Sequence, residues 1–312
     1  MTKKFSKIPT NNNTYISDLN ELLTGFVLNK NKWFDPAAEN QHDMRMGQVS
    51  EEQYMDAIGK AEVMADEFLK WAKKNKYSGQ VKRVWWTARP GSMSSATGYT
   101  VDQKKNPTDI LIKFSSGPAD GFLGLSAKAT KGKGDIGFKN PGLGTIDKVL
   151  RTNLAKIVDD NTQIIMKKIK LPTSTSQRKA AIRANKNIQK VTQEMGARTL
   201  TELSDAYYTR IKKMPANQLY EYIVGNWMDA EKLLPPYVKV TGQGNKAPYQ
   251  AKVDDPLNNP KLEALRKGQI RLDKNGISSV LVVAGGKNIM KMRFKWESEP
   301  HASSMKMSGD PA

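Results

Sequence analysis

The stretch from Ile110 to Ala129 constrains the fold of this chain most. Ile110-Leu-Ile-Lys-Phe114 and Phe122-Leu-Gly-Leu-Ser-Ala-Lys-Ala129 are short runs of branched and aromatic residues, the composition that suits a half-buried strand. Ser115-Ser-Gly-Pro-Ala-Asp-Gly121 between them is a turn cluster, so the two runs predict a hairpin. A third strand is expected at Gln80 to Ala88, ended by Arg89-Pro-Gly-Ser. Helical periodicity flanks these strands. Leu19, Leu22, Leu23, Phe26 and Val27 predict a helix over 18–29, capped by Ser17-Asp18. Residues 30–50 read as irregular. Ser50 with Gln53 forms the capping-box pattern that opens a helix running to about Asn75.

Beyond the hairpin, Lys131 to Gly144 carries five glycines and Pro141 and reads as a loop. Thr145 opens a helix over 145–160, and helical patterns continue to about Lys232. Pro235-Pro236 breaks them, and Tyr237 to Thr241 predicts a strand. Ile277 to Ala284 and Ile289 to Trp296 around Gly285-Gly286-Lys287-Asn288 predict a C-terminal β-hairpin. The tail 301–312 is small and polar and is expected to be loose. The fold class is therefore α/β of the α+β kind.

Composition narrows the chemistry. Cysteine is absent and there are two histidines, His42 and His301, which excludes disulfides, thiol nucleophiles and Cys- or multi-His zinc sites. A metal here would be a hard cation on oxygen ligands, Mg²⁺ or Mn²⁺. Lys plus Arg outnumber Asp plus Glu by 50 to 31, a net charge of +19 over 312 residues. Nucleic acid is the partner expected for such a charge, because each phosphate neutralised releases counterions. No apolar run reaches the roughly 20 residues of a membrane span. The start, with its lysines and no apolar core, does not read as a secretory signal. A cytoplasmic location is expected, the host's cytoplasm if the chain is phage-encoded, a source that the Asn- and Lys-rich composition suggests.

The chemistry-bearing constellation is the hairpin. Asn106-Pro-Thr-Asp109 stands at the entrance of the first strand and Ser126-Ala-Lys128 in the second. An acid at a strand entrance and a lysine in the facing strand can meet at one sheet edge. There the carboxylate can hold Mg²⁺ and the lysine can orient a water and add positive charge.

This pattern resembles the PD-(D/E)xK, or restriction-endonuclease-like, nuclease superfamily over roughly residues 17–160. The resemblance implies an αβββαβ core extended by a helical region. It implies that Asp109 is the first acid and Lys128 the lysine, with the Ala127 carbonyl as a further metal ligand. Ser126 stands where the family has its second acid. A glutamate from a preceding helix would supply the missing charge: Glu21 in the first helix is favoured, Glu67 in the second is the alternative. Asp120 reads as the hairpin tip.

Three other features bear on function. Gly132-Lys-Gly-Asp-Ile-Gly137 has the GxGxxG spacing, but no helix start follows, so it does not read as a dinucleotide site. Lys131, Lys133 and Lys139 in this loop are candidate phosphate contacts. Lys179, Arg183, Lys186 and Lys190 have 4-3-4 spacing and predict a basic ridge on one helix face, within a run where Glu194 is the sole acid. Trp85 and Trp86 should face opposite sides of a strand, and Met290 and Met292 read as packing.

The sequence thus predicts a core over 1–160, a basic helical and β region over 161–300 that clamps DNA or forms a homodimer, and the loose tail. The expected function is a Mg²⁺-dependent DNA endonuclease. The alternative is a non-catalytic DNA-binding or virion-associated structural protein. An RNA-binding protein is disfavoured, because no strand carries aromatics at the spacing of an RNA-reading sheet.

Overall fold

The computed structural model describes residues 5–103, 105–132, 140–228 and 233–312. The chain forms two compact units: Met1–Ile136 with Glu231–Asn259, and Gly137–Ala230 with Pro260–Ala312. The fold is mixed α/β, and among the described residues no helix is long and apolar enough to cross a membrane.

The first unit contains helices α1 (Asn13–Leu28), α2 (Pro36–Met46) and α3 (Glu51–Lys74). Strand β1 (Ser78–Trp86), helix α4 (Ser92–Thr97) and strands β2 (Ile110–Ser116) and β3 (Phe122–Thr130) follow. Between the two segments of the second unit the chain returns as β4 (Tyr237–Gln243) and β5 (Gln250–Asp254). The sheet order is β1-β2-β3-β4-β5. All neighbours are antiparallel except β3 and β4, which run parallel with Ser126 opposite Lys239 and Lys128 opposite Thr241.

The capping box is present: Ser50 Oγ accepts from the Gln53 amide at 3.3 Å and Gln53 Oε1 from the Ser50 amide at 3.1 Å. From α3, Met64, Ala65, Phe68 and Ala72 pack on Val84, Ile110, Ile112, Leu123, Leu125, Ala127, Val238 and Val240 of the sheet. Leu19 and Leu23 of α1 pack on Ala57 and Ala61 of α3. These spacings, 3–4 along helices and 2 along strands, are what bury one face of each element.

Several sequence expectations are corrected. Helix α1 starts at Asn13 rather than residue 18, because Asn12 Oδ1 accepts from the Thr14 amide at 3.0 Å and is the cap. Residues 36–46 are helical: Asp35 caps the Ala37 amide at 2.7 Å and Pro36 takes the first position. The domain break does not fall at 160. Strand β4 joins the first sheet through its ladder with β3, and the helices over 143–168 belong to the second unit.

Gly124 is required by a close approach. A Cβ there would lie against Thr108 and 2.9 Å from the Tyr237 Cβ. Gly124→Ala is therefore expected to destabilise the protein by about 1–3 kcal/mol, as overpacking does. Urea unfolding measures this, and an unchanged midpoint would refute the packing argument.

The second unit contains helices α5 (Leu143–Leu150), α6 (Leu154–Lys168), α7 (Thr175–Ala184), α8 (Lys186–Lys212), α9 (Ala216–Trp227) and α10 (Pro260–Lys267). Strands β6 (Ile270–Asn275), β7 (Ser279–Ala284), β8 (Lys287–Trp296) and β9 (Met305–Pro311) form an antiparallel sheet in that order. The single helix expected over 145–160 is two. Arg151 turns left-handed at φ 54°, and Asp147 restarts the helix by accepting from the amides of Leu154 (2.6 Å) and Ala155 (2.9 Å). The tail is not loose: Met305 and Met307 alternate into the core, with Met307 fully buried, so β9 completes the sheet beside β8.

Candidate active site

Asp109 is held at the mouth of β2 by its backbone. Its amide donates to the Leu125 carbonyl at 3.0 Å and its carbonyl accepts from the Thr87 amide at 3.1 Å. The preceding residues fix the approach. Asn106 Oδ1 accepts from the amide (3.2 Å) and hydroxyl (2.7 Å) of Thr108, and Asn106 Nδ2 donates to the Pro235 carbonyl at 3.0 Å. An Asn that closes a local turn in this way is a common use of its side chain.

Since β2 pairs with β3 only from Ile110, opposite Leu125, the Asp109 carboxylate reaches past the strand end along β3. Its Oδ2 accepts from the Ser126 hydroxyl (3.1 Å), the Ala127 amide (2.9 Å) and the Lys128 ammonium (2.9 Å). The acid and the lysine singled out in the sequence therefore meet. Ser126 is fully buried and spends its hydroxyl on Asp109.

Glu21 of α1 completes the group. Trp86 Nε1 donates to its Oε2 at 3.0 Å. Trp86 lies opposite Ile110 in the β1–β2 pairing and so reaches α1 from the same sheet corner. Trp85, one residue away, packs on Phe122 at 6.0 Å between ring centroids and carries Arg83 over its face at 5.0 Å. Burial is the main force on Glu21 and pushes its pKa up to about 7, with the charge of Asp109 adding to it. The Trp86 hydrogen bond and the Lys128 charge act the other way, and Asp18 adds a smaller upward push. Glu67 is not at the site: it lies on α3, paired with Lys70 at 2.7 Å.

Lys239 of β4 is a residue the sequence reading missed. It stands opposite Ser126 in the parallel ladder. Burial lowers its pKa and Lys128 lowers it further, while Asp254 and Asp109 pull it back up. Only the β3–β4 pairing, which spans more than a hundred residues of sequence, brings it to the site. A cavity of about 370 Å³ beside the group is lined by Asn20 and Glu21 of α1 and by Ala127 and Lys128 of β3.

The donors suit a hard cation: two carboxylates in mutual repulsion, and a strand carbonyl at Ala127 on the side where its amide meets Asp109. Among the described residues, no group of three or more His, Asp or Glu side chains forms a ligand set by itself.

The remaining candidates are dispersed. Lys131 is exposed just past β3, and Lys133 and Lys139 lie outside the described residues. The basic ridge is broken. Asn185 is extended between α7 and α8, so Lys179 and Arg183 sit on one helix and Lys186 and Lys190 on another. Arg183 pairs with Glu299 at 2.8 Å. Arg178, next to Lys179, is buried and donates to the carbonyls of His301 (2.6 Å), Pro172 (3.1 Å) and Thr173 (3.0 Å), a structural role.

In comparison with known proteins, no family model matches the chain and no curated protein matches it significantly.

Proposed function

We propose that the chain is a PD-(D/E)xK-like, Mg²⁺-dependent endonuclease that hydrolyses phosphodiester bonds in DNA. The observation that carries this is the meeting of Asp109 and Lys128 at 2.9 Å on adjacent strands, with Glu21 beside them. The order along the chain supports it in part: helices, three antiparallel strands and a later strand parallel to the third follow the order of an αβββαβ core, while the helices between those last two strands belong to the second unit. The net charge of +19 supports a polyanionic substrate, and a cytoplasmic location fits such a substrate.

Asp109, Glu21 and the Ala127 carbonyl would hold the metal ion. When bound, it supplies positive charge to the phosphate and lowers the pKa of a water. Lys128, fixed by Asp109, orients the attacking water and offsets charge on the phosphate oxygens in the transition state. The water oxygen forms the new bond to phosphorus as its proton passes to solvent, the bond to one ester oxygen breaks, and that oxygen leaves protonated by a solvent water. Lys239 adds a second positive charge beside Ser126.

The second reading, a non-catalytic DNA-binding or virion-associated structural protein, draws on Ser126. Its hydroxyl donates to Asp109 where the family would place another carboxylate.

Incubation of supercoiled and linear DNA with the protein in Mg²⁺, Mn²⁺ or EDTA decides between the readings. Cutting in either metal but not in EDTA is the expected result. DNA bound and left intact in both metals, on several substrates including a long phage genome, would favour the second reading.

A further inference from the structure

The second unit holds a groove of about 840 Å³ bounded by the C-terminal end of α8, α9, α10 and β6. Two half-buried tyrosines, Tyr208 and Tyr220, line it. Three exposed cations, Lys212, Arg266 and Arg271, stand with them. Lys212 Nζ lies 5.3 Å from the centre of the Tyr208 ring, and Arg266 Nε donates to the Tyr220 hydroxyl at 3.2 Å. Among the described lining residues Asp273 is the only acid, and Arg271 already holds it at 2.9 Å.

We propose that this groove binds a single-stranded segment of nucleic acid, with bases stacked on Tyr208 and Tyr220 and phosphates on Lys212, Arg266 and Arg271. Ring faces interleaved with cations are what a flexible polyanion with π-faces uses, and stacking needs bases that a duplex keeps paired. A peptide is the competing occupant, because β6 is an edge strand of its sheet. The edge is capped in mid-strand, however: the Tyr208 hydroxyl donates to the Leu272 carbonyl at 3.3 Å. The excess of cations over carboxylates also favours phosphate. This inference goes beyond the nuclease reading and does not depend on it.

Fluorescence polarisation with a labelled oligothymidylate, in EDTA so that nothing is cut, tests it on the full chain. Tyr220→Leu is expected to weaken binding about tenfold, the usual scale for one lost stacking partner. Lys212→Glu/Arg266→Glu is expected to weaken it by more. It should also flatten the dependence of log Kd on log salt by about 1.4, two phosphate contacts on a single strand. The control is Lys73→Glu/Lys74→Glu, which changes net charge equally at exposed positions on α3 of the other unit. No binding by the wild type, unchanged affinity in Tyr220→Leu, or equal losses in the groove and control variants would each overturn the proposal. Cutting by the wild type in Mg²⁺, measured separately, is untouched by any of these results.

Discussion

Asp109→Asn should lower metal-dependent cutting of DNA by at least about 10³-fold while leaving DNA affinity in EDTA within a factor of about two. The scale follows from removing a preorganised charge from a catalytic centre. The asparagine keeps one oxygen to accept from the Ser126 hydroxyl and the Ala127 amide, so the strand mouth retains its shape. It loses the charge that fixes Lys128 and the charge that repels Glu21. Lys128→Ala should cost about 10²- to 10³-fold by the same reasoning. The double variant should be hardly worse than Asp109→Asn alone, because residues acting as one unit do not give additive losses. Gel assays of nicking and of binding, run side by side, read all three. Losses that simply multiplied would show that the 2.9 Å pair does not work as a unit. An Asp109→Asn protein that cut normally would remove the hairpin from the chemistry altogether.

How much of this was legible from the sequence depended on how local each interaction is. The Ser50–Gln53 capping box and the hairpin at 110–129 are spelled within a few residues, and both are present in the structure. Asp109 and Lys128 were legible for the same reason: one turn brings them together. Lys239 was not, because its place beside Ser126 comes from a parallel ladder closed only after the chain has passed through the first segment of the second unit, Gly137–Ala230. Helix α2 was missed although Asp35-Pro36 is a cap followed by a first-position proline, since its outward residues dilute the apolar period. The tail looked loose because Met305 and Met307 alternate with Lys306 and Ser308 in too short a run to outweigh its small polar neighbours. The basic ridge failed in the opposite way. Its 4-3-4 spacing was sound, but Asn185 caps a new helix by accepting from the amides of Asn187 (2.9 Å) and Ile188 (3.2 Å), and so divides the ridge.

Glu21→Gln should make the protein more stable at pH 8 and at the same time inactive. In the folded chain burial and Asp109 raise the Glu21 pKa from 4.5 to about 7. A carboxyl raised on folding contributes stability that is fully present below its unfolded pKa and is lost as pH climbs through the folded value. Between pH 5 and pH 8 the wild type should therefore lose about 2–3 kcal/mol that the glutamine variant keeps, from a shift of about 2.5 at 1.36 kcal/mol per pKa unit. The amide can still accept the Trp86 hydrogen bond, so packing is preserved and only the charge is removed. Urea unfolding of both proteins at the two pH values measures the widening gap. A constant gap would mean that Glu21 ionises as easily as a surface carboxylate, and its proposed part in holding a cation would lose its physical basis. If the gap widens and Mg²⁺ narrows it again by stabilising the wild type alone, the repulsion between Glu21 and Asp109 is what the cation relieves. A carboxylate kept at the expense of stability, whose removal also stops cutting, marks strain retained for function.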